Sequence, residues 1–402
     1  MNTEQSNLPP LSYRDFRILC LAVVFSGAGF RGLLVVLGWL LLEATDSSLV
    51  VGLGLVAMIV PNALFGILGG AIADRVDRRR LMRLMAFAMA LNMLVLGIVV
   101  MEETVVWLVL ALTFVSGSIW SLLTTARQSY AYDVVGEARA VAGLSLSNLA
   151  QMAGGIFGGL GSGLIISAWG AGEAYLALGA CFLAAGLTMF LARTRGQSAP
   201  IQRLSVLQNL REYVAEIRSN RILAMLIALT AAVEVFGFSH LSALPVLVRD
   251  ELGRGGGTLG LMGSISSAGG LAAILLLSTR GDRVRKGAVY VVVLGVFGAA
   301  IVLLGVSSTL VLALVAITIV SGMAALSDVL SQSLVQLSVP NEMRGRAMGS
   351  WALAIGLAPF GHLQIGGLIA LIGVSAALVA NGAALILLAI GAWLGIGALR
   401  RL

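Results

Sequence analysis

Apolar residues run in long blocks along almost the whole chain, and short charged clusters punctuate them. A helix needs about 20 predominantly apolar residues to cross the hydrocarbon layer of a membrane. Blocks of that kind fall at about 17–42, 48–72, 81–101, 104–126, 139–167 and 173–192. A second set follows at about 221–247, 258–279, 288–306, 309–332, 346–371 and 373–398. Lipid offers no partner to a free backbone N–H or C=O, so each block is expected to be helical. The predicted fold class is an all-α polytopic membrane protein with twelve transmembrane helices.

Composition agrees with the pattern. Of the 402 residues, 59% are hydrophobic and only 11% charged, too few to cover a soluble surface. The formal net charge of +7 points to nucleic acid in a soluble protein, but here it has another source. All but Arg31, Arg249 and Arg254 of the 26 Lys and Arg fall in the termini and alternate loops on one side of the predicted helices. The acids Glu43, Asp46, Glu102, Glu103, Glu173, Asp250 and Glu251 collect on the other side. The positive-inside rule then places both termini in the cytoplasm, which an even helix count requires. Cys20 and Cys181 both fall inside predicted helices and imply no disulfide framework. The first block is too long for a signal-peptide core and is read as a permanent span.

The blocks divide into two sets of six. The expected division is an N-terminal half at 1–192, a cytoplasmic link at 193–220 and a C-terminal half at 221–402. In the link, Leu204, Leu207, Leu210, Val214 and Ile217 recur at near-helical spacing, which predicts an amphipathic helix on the inner leaflet. The halves also repeat short motifs. "RIL" at 17–19 returns at 221–223, and "DRV" at 74–76 returns at 282–284. Glu137 and Arg139 are matched by Glu342 and Arg344. The offsets of 204, 208 and 205 are nearly constant. A duplicated six-helix unit is a transporter arrangement, with the substrate site between the halves near the midplane.

"GGAIADRVDRRRLM" at 69–82 adds a signature. It resembles the loop between helices 2 and 3 of the major facilitator superfamily. Gly70, Ala73, Asp74, Arg75, Arg78 and Arg79 match that pattern, while Asp77 stands where the pattern has glycine. "RGDRVRKG" at 280–287 is the second-half copy, keeping Asp282 and Arg283. The resemblance implies a conformational gate at Gly70, Asp74, Arg75, Arg78, Asp282 and Arg283. Without it, the same charges also fit a solvated loop, or an acid at a helix end accepting from Arg78 one turn on. "VPNEMRGRAMG" and "TTARQSYAYDVVG" resemble the branch that contains the enterobactin exporter and macrolide efflux proteins.

Exporters of the superfamily carry a glycine- and proline-rich motif in helix 5. Gly154, Gly158 and Gly163 fit it, but Gly159 replaces the proline and Ser162 a glycine. Two readings stay open, an antiporter motif or close helix packing through small residues.

Ionisable groups inside apolar helices cost roughly 2.5–3.5 kcal/mol on the insertion scale, so they mark cavities or partners. Arg31 in helix 1, Glu234 in helix 7, Asp328 in helix 10 and His362 in helix 11 are the candidates, with His240 further along helix 7. The resemblance puts helices 1, 7 and 10 around the central cavity. With the "RIL" copies superposed, Glu234 aligns with Phe30, beside Arg31. An Arg31–Glu234 interaction that changes between states would bind and release a proton, since burial favours a neutral carboxyl and a cation an ionised one. A permanent structural pair is the alternative. Asp328 fits capping or gating as well as coupling, and His362 and His240 fit packing roles. Arg127 and Gln128 are expected in a solvated loop, and Asn148 and Gln151 fit either ligand contact or helix packing.

No Gly-x4-Gly-Lys-Ser/Thr loop is present, so ATP is not expected in that mode. With two His and two Cys, neither a metal site nor a cofactor is expected, and no nucleophile–base constellation points to an enzyme. The expected function is proton-coupled efflux of a small amphiphilic organic compound, drug-like or siderophore-like, by a monomer in a bacterial inner membrane. Its expected partners are that small-molecule substrate, protons and membrane lipid, with no nucleic acid. Lysolipid flipping or organic-anion uptake, with Arg31 anchoring the head group, is the second reading. A non-transporting receptor or scaffold is the reading from another class.

Overall fold

The computed structural model describes residues 9–73, 76–136, 139–196, 217–218, 220–280, 286–339 and 343–395. These form twelve helices in series, with no strand among the described residues. The first six are α1 (Arg14–Thr45), α2 (Ser48–Ala73), α3 (Arg78–Glu102), α4 (Val106–Val135), α5 (Ala140–Ala168) and α6 (Ala171–Thr188). The second six are α7 (Arg221–Glu251), α8 (Gly256–Arg280), α9 (Lys286–Gly305), α10 (Leu310–Leu337), α11 (Arg344–Ile355 continued by Ala358–Ile372) and α12 (Val374–Gly395). Eleven of them are long and apolar enough over described residues to cross a membrane. In α2 the apolar stretch Ser48–Pro61 is the part whose side chains are described. The amphipathic helix expected in the link falls on 197–216 and 219, outside the described residues.

Three helices depart from the simple apolar blocks. α4 runs nine residues past its predicted end at 126, to Val135. In this extension Arg127 and Tyr130 are buried, and Arg127, Tyr130 and Asp133 bond to neighbouring segments. α7 is not a uniform helix. It widens into π-helical turns at Val233–Gly237 and Leu247–Glu251, where Phe238 N–H donates to Val233 O at 2.9 Å and Leu252 N–H to Leu247 O at 3.0 Å. Pro245 has no N–H to give the ladder, and Gly237 brings the backbone against the Phe297 ring. α11 breaks at Gly356–Leu357 because Pro359 opens its second segment and is tolerated only in a first turn.

Two compact units are present. The first comprises Met1–Leu40, Ala57–Gln202 and Gly256–Ser264; the second comprises Leu41–Val56, Arg203–Gly255 and Ile265–Leu402. Within the first, α1 and α5 meet backbone to backbone. A Cβ on Gly154 would collide with Val24 O, and one on Gly158 with Ala28 O. The opposite face of α5 takes the first turns of α8, where Gly159, Gly163 and Gly260 pack together and Ser264 Oγ donates to Ile156 O at 2.5 Å. Small residues at such crossings let van der Waals contact and carbonyl-directed hydrogen bonds replace the hydrophobic driving force that lipid does not supply.

Within the second unit, Gly298 of α9 and Gly382 of α12 are in comparable backbone contact. Ser266 and Ser321 hydroxyls bond at 2.6 Å between α8 and α10. The start of α2 is tied to α11, with Ser48 Oγ donating to Gly366 O at 2.9 Å. Arg249 at the end of α7 pairs with Asp46 and Asp250, each at 2.6 Å.

Candidate functional site

Polar groups collect in two places, one in each unit. In the first unit the loop that leads into α3 is built from its own residues. Asp77, the departure from the glycine of the loop pattern, caps α3 by accepting from Arg79 N–H at 2.9 Å and Arg80 N–H at 3.2 Å. An aspartate at that position satisfies donors that would otherwise have no partner and places a negative charge at the positive end of the helix. Arg78 reaches Asp133 on α4 at 2.6 Å, with side-chain exposures of 11% and 4%. Arg79 Nη1 donates to Ala192 O at 2.7 Å. Asp15 at the start of α1 accepts from Arg193 N–H at 2.9 Å and from the Thr194 hydroxyl at 2.6 Å, while Tyr130 Oη donates to Thr194 O at 3.0 Å. The ends of α1, α3 and α4 and the segment after α6 are thus pinned together.

Of the gate residues, Gly70 lies in α2 and Arg78 in this network, whereas Asp74, Arg75, Asp282 and Arg283 lie outside the described residues. Asp133 was not singled out from sequence. Its signal was there in "SYAYDVVG", an acid at the end of an otherwise uncharged helical turn. Arg127 is a correction: it is only 7% exposed, not in a solvated loop, and its Nη2 donates to Asn148 Oδ1 on α5 at 3.3 Å. Arg31 sits mid-way along α1 and is part-buried. Beside it, Phe30 stacks on Trp120 of α4 with ring centroids 4.0 Å apart.

In the second unit the first wide turn of α7 carries Glu234, which is 6% exposed. Asp328 of α10 is the charged group that acts on it electrostatically. The buried Tyr290 hydroxyl of α9 lies beside Thr230 and Ser327 and within the field of both carboxyl groups. α11 packs directly on this turn: a Cβ on Gly361 would meet Val235 and Glu234 backbone carbonyls. Next along α11, His362 is 1% exposed and its Nδ1 shares a hydrogen bond with Ser242 Oγ at 2.9 Å. His240 donates from Nδ1 to Gly237 O at 2.7 Å, the direction a carbonyl acceptor requires. Asn381 of α12, 1% exposed, donates to Ser239 Oγ at 2.9 Å and accepts from Gln364 Nε2 at 2.9 Å. Side chains thereby take up the Gly237 carbonyl and the Ser239 and Ser242 hydroxyls of α7. Asp328 lies within electrostatic reach of Glu234, and His362 sits in the adjoining network.

The glycines of helix 5 have a visible packing role. Gly154 and Gly158 face α1, and Gly163 faces the first turns of α8. Among the described residues no group of three His, Cys, Asp or Glu is arranged to hold a metal ion.

A twelve-helix series with this loop and these intramembrane charges is a membrane transporter of the major facilitator type, not an enzyme. More narrowly, the family described as transmembrane secretion effector matches residues 5–397, and the chain belongs to it. An uncharacterized MFS-type transporter, YfiS of Bacillus subtilis (strain 168), is 27% identical over 85% of this chain and 83% of its own length. Multidrug resistance protein MdtG of Salmonella arizonae (strain ATCC BAA-731 / CDC346-86 / RSK2980) is 28% identical over 56% of this chain. The match spans only about half of that relative, 55% of its length. Among solved structures, a POT family transporter in complex with a thioalcohol-conjugated peptide superposes with a TM-score of 0.80 at 11% identity, covering 99% of this chain and 100% of that one. A bacterial homologue of the human lysosomal transporter Spinster, inward-facing and unoccupied, gives 0.67 at 13% identity, covering 100% and 97%. These structural likenesses concern the fold.

Proposed function

We propose that the protein is a proton-coupled exporter of small amphiphilic organic compounds in a bacterial inner membrane, with both termini cytoplasmic. Transport proceeds by alternating access of the halves 1–192 and 221–402 about the link 193–220. The observation that carries this reading is the Glu234–Asp328 neighbourhood inside the helices. Two carboxyl groups that feel each other's charge inside apolar helices resist carrying two negative charges, and a proton on one relieves the repulsion. A buried acid in a widened turn is also poised to change its partners when the helix rewinds. In this scheme Arg31 is the cation that competes with the proton. Its approach to Glu234 in one state releases the proton, and its withdrawal restores proton binding. The similarity to MdtG, named for multidrug resistance, favours export of drug-like compounds.

The test uses proteoliposomes with a trapped pH dye, an imposed proton gradient and a panel of amphiphilic compounds. Compound-dependent proton flux in the wild type and none in Glu234→Gln is the expected result. Proton flux that survives the substitution overturns the assignment to Glu234 and moves it to Asp328. Compound movement without proton flux overturns coupling and favours the lysolipid or organic-anion reading, with Arg31 as head-group anchor.

A further inference from the structure

Within the first unit the end of α6 packs on the first turns of α3, where a Cβ on Gly186 would touch the Phe87 ring. Arg83, in the second turn of α3, lays its guanidinium over the Phe190 ring, 4.6 Å from the ring centroid. Phe190 follows just after α6 and also meets Phe87, with centroids 6.0 Å apart. Arg79, one turn before Arg83, donates to Ala192 O at 2.7 Å, so Arg193 follows directly beside it. Arg80, Arg193 and Arg195 are exposed.

Among the described residues, no carboxylate pairs with the guanidinium of Arg80, Arg83, Arg193 or Arg195. The described acids at this end are engaged elsewhere. Asp15 accepts from the N–H groups of Arg193 and Thr194, Asp77 caps α3, and Asp133 pairs with Arg78. Like charges gathered on neighbouring turns make a positive potential that favours an anion. A guanidinium held flat on an aromatic ring keeps its edge donors free, and their fork matches the oxygens of a phosphate.

The surface leading away from these charges is apolar and open. Leu84 and Leu91 flank Phe87 on one face of α3, and Leu183 and Leu187 lead to Phe190 along α6; all four are exposed. Gly97 of α3 and Gly179 of α6 each lie against the other helix, so the leucines border one close-packed seam. Both helices are long and apolar enough to cross a membrane. A free phosphate would meet only the arginines, whereas a phospholipid meets the arginines with its head group and the leucines with its chains.

We propose that the adjoining ends of α3 and α6 form a binding site for an anionic phospholipid. Its phosphate is held by Arg80, Arg83 and Arg193, and its acyl chains lie along the α3–α6 seam. The site is independent of proton coupling, of the exported compound and of the orientation of the chain across the membrane.

The test titrates the purified full-length protein in dodecyl maltoside with phosphatidylglycerol or phosphatidylcholine and counts bound lipids by native mass spectrometry. The expected result is one phosphatidylglycerol retained at concentrations where phosphatidylcholine is not. Arg83→Gln should weaken its retention about fivefold, the usual effect of one basic residue at an anionic membrane surface. Phe190→Leu keeps every charge but removes the ring beneath Arg83, and should weaken retention about threefold. Lys286→Gln removes a basic residue at the start of α9 and should leave retention unchanged. Equal weakening by Arg83→Gln and Lys286→Gln shows diffuse attraction and overturns the site, as does equal retention of the two lipids. Full retention in Phe190→Leu overturns the stacked seat. Glycerol 1-phosphate, a head-group fragment without chains, should not displace the bound lipid; displacement would assign the arginines to a free phosphate compound and overturn the lipid. Should Arg83→Gln not fold, Arg80→Gln alters only an exposed charge and must weaken retention as well.

Discussion

Arg78 and Asp133 are joined at 2.6 Å across α3 and α4, and both side chains are almost wholly withdrawn from solvent. One comes from the loop that resembles the superfamily signature, the other from the end of a neighbouring helix in the same half. The signature arginine therefore has a partner inside its own unit.

Asp133→Asn is expected to lower stability by about 3 kcal/mol, because removing one member of a buried ion pair leaves the other charge exposed to a low dielectric. The measurement is the apparent Tm of purified protein in detergent. Arg78→Gln should cost a similar amount, and the double variant less than the sum of the two. Additive losses would show that the pair is not coupled.

The glycines of α5 make a sharp contrast. Gly158→Val places a side chain where Ala28 O stands, so folded protein should be largely lost from the membrane fraction. Gly161, one turn away, has nothing within 4 Å of an added Cβ. Gly161→Ala should leave Tm unchanged or raise it slightly, in line with the roughly 1 kcal/mol helix preference of alanine. Equal loss at both positions would argue against packing as the role of Gly158.

The contact between α5 and the first turns of α8 can be captured covalently. A Cβ at Gly257 lies 3.8 Å from Ser167 Cβ, the usual separation in a disulfide. In a background lacking Cys20 and Cys181, Ser167→Cys with Gly257→Cys should cross-link under mild oxidation. If the two helices separate during turnover, transport stops on oxidation and recovers with reductant. Cross-linked protein that transports normally would exclude such a separation.

Asn381→Leu should destabilise the second half by about 1–3 kcal/mol, since Ser239 and Gln364 lose a buried partner. Hydrogen exchange at 233–242 should rise more than elsewhere in α7. Uniform exchange along the helix would show that Asn381 does not hold the wide turn.

Much of this fold was legible from the apolar blocks. The lipid requirement that every backbone group be satisfied leaves few alternatives to helix, and most observed ends fall within a few residues of the predicted ones. The exceptions have physical causes. α4 outran its block because hydropathy does not register that Asp133 is paired with Arg78 of α3 and that Tyr130 is bonded to Thr194. The widened turns of α7 pack against α9, α11 and α12, and this packing is invisible until those helices are in place. Gly237 and Pro245 hinted at irregularity without locating it. Pro359 did announce the break in α11, yet its apolar flanks hid it inside one long block. Glu234 and Asp328 were readable singly as charges in apolar helices; that one acts on the other was not.

The two wide turns of α7 also bear on which way its residues face. A π-helical turn accommodates one residue more than an α-helical one over nearly the same rise. α1 has no such turn. Each turn sets the residues after it at a different angle around the α7 axis without interrupting the span.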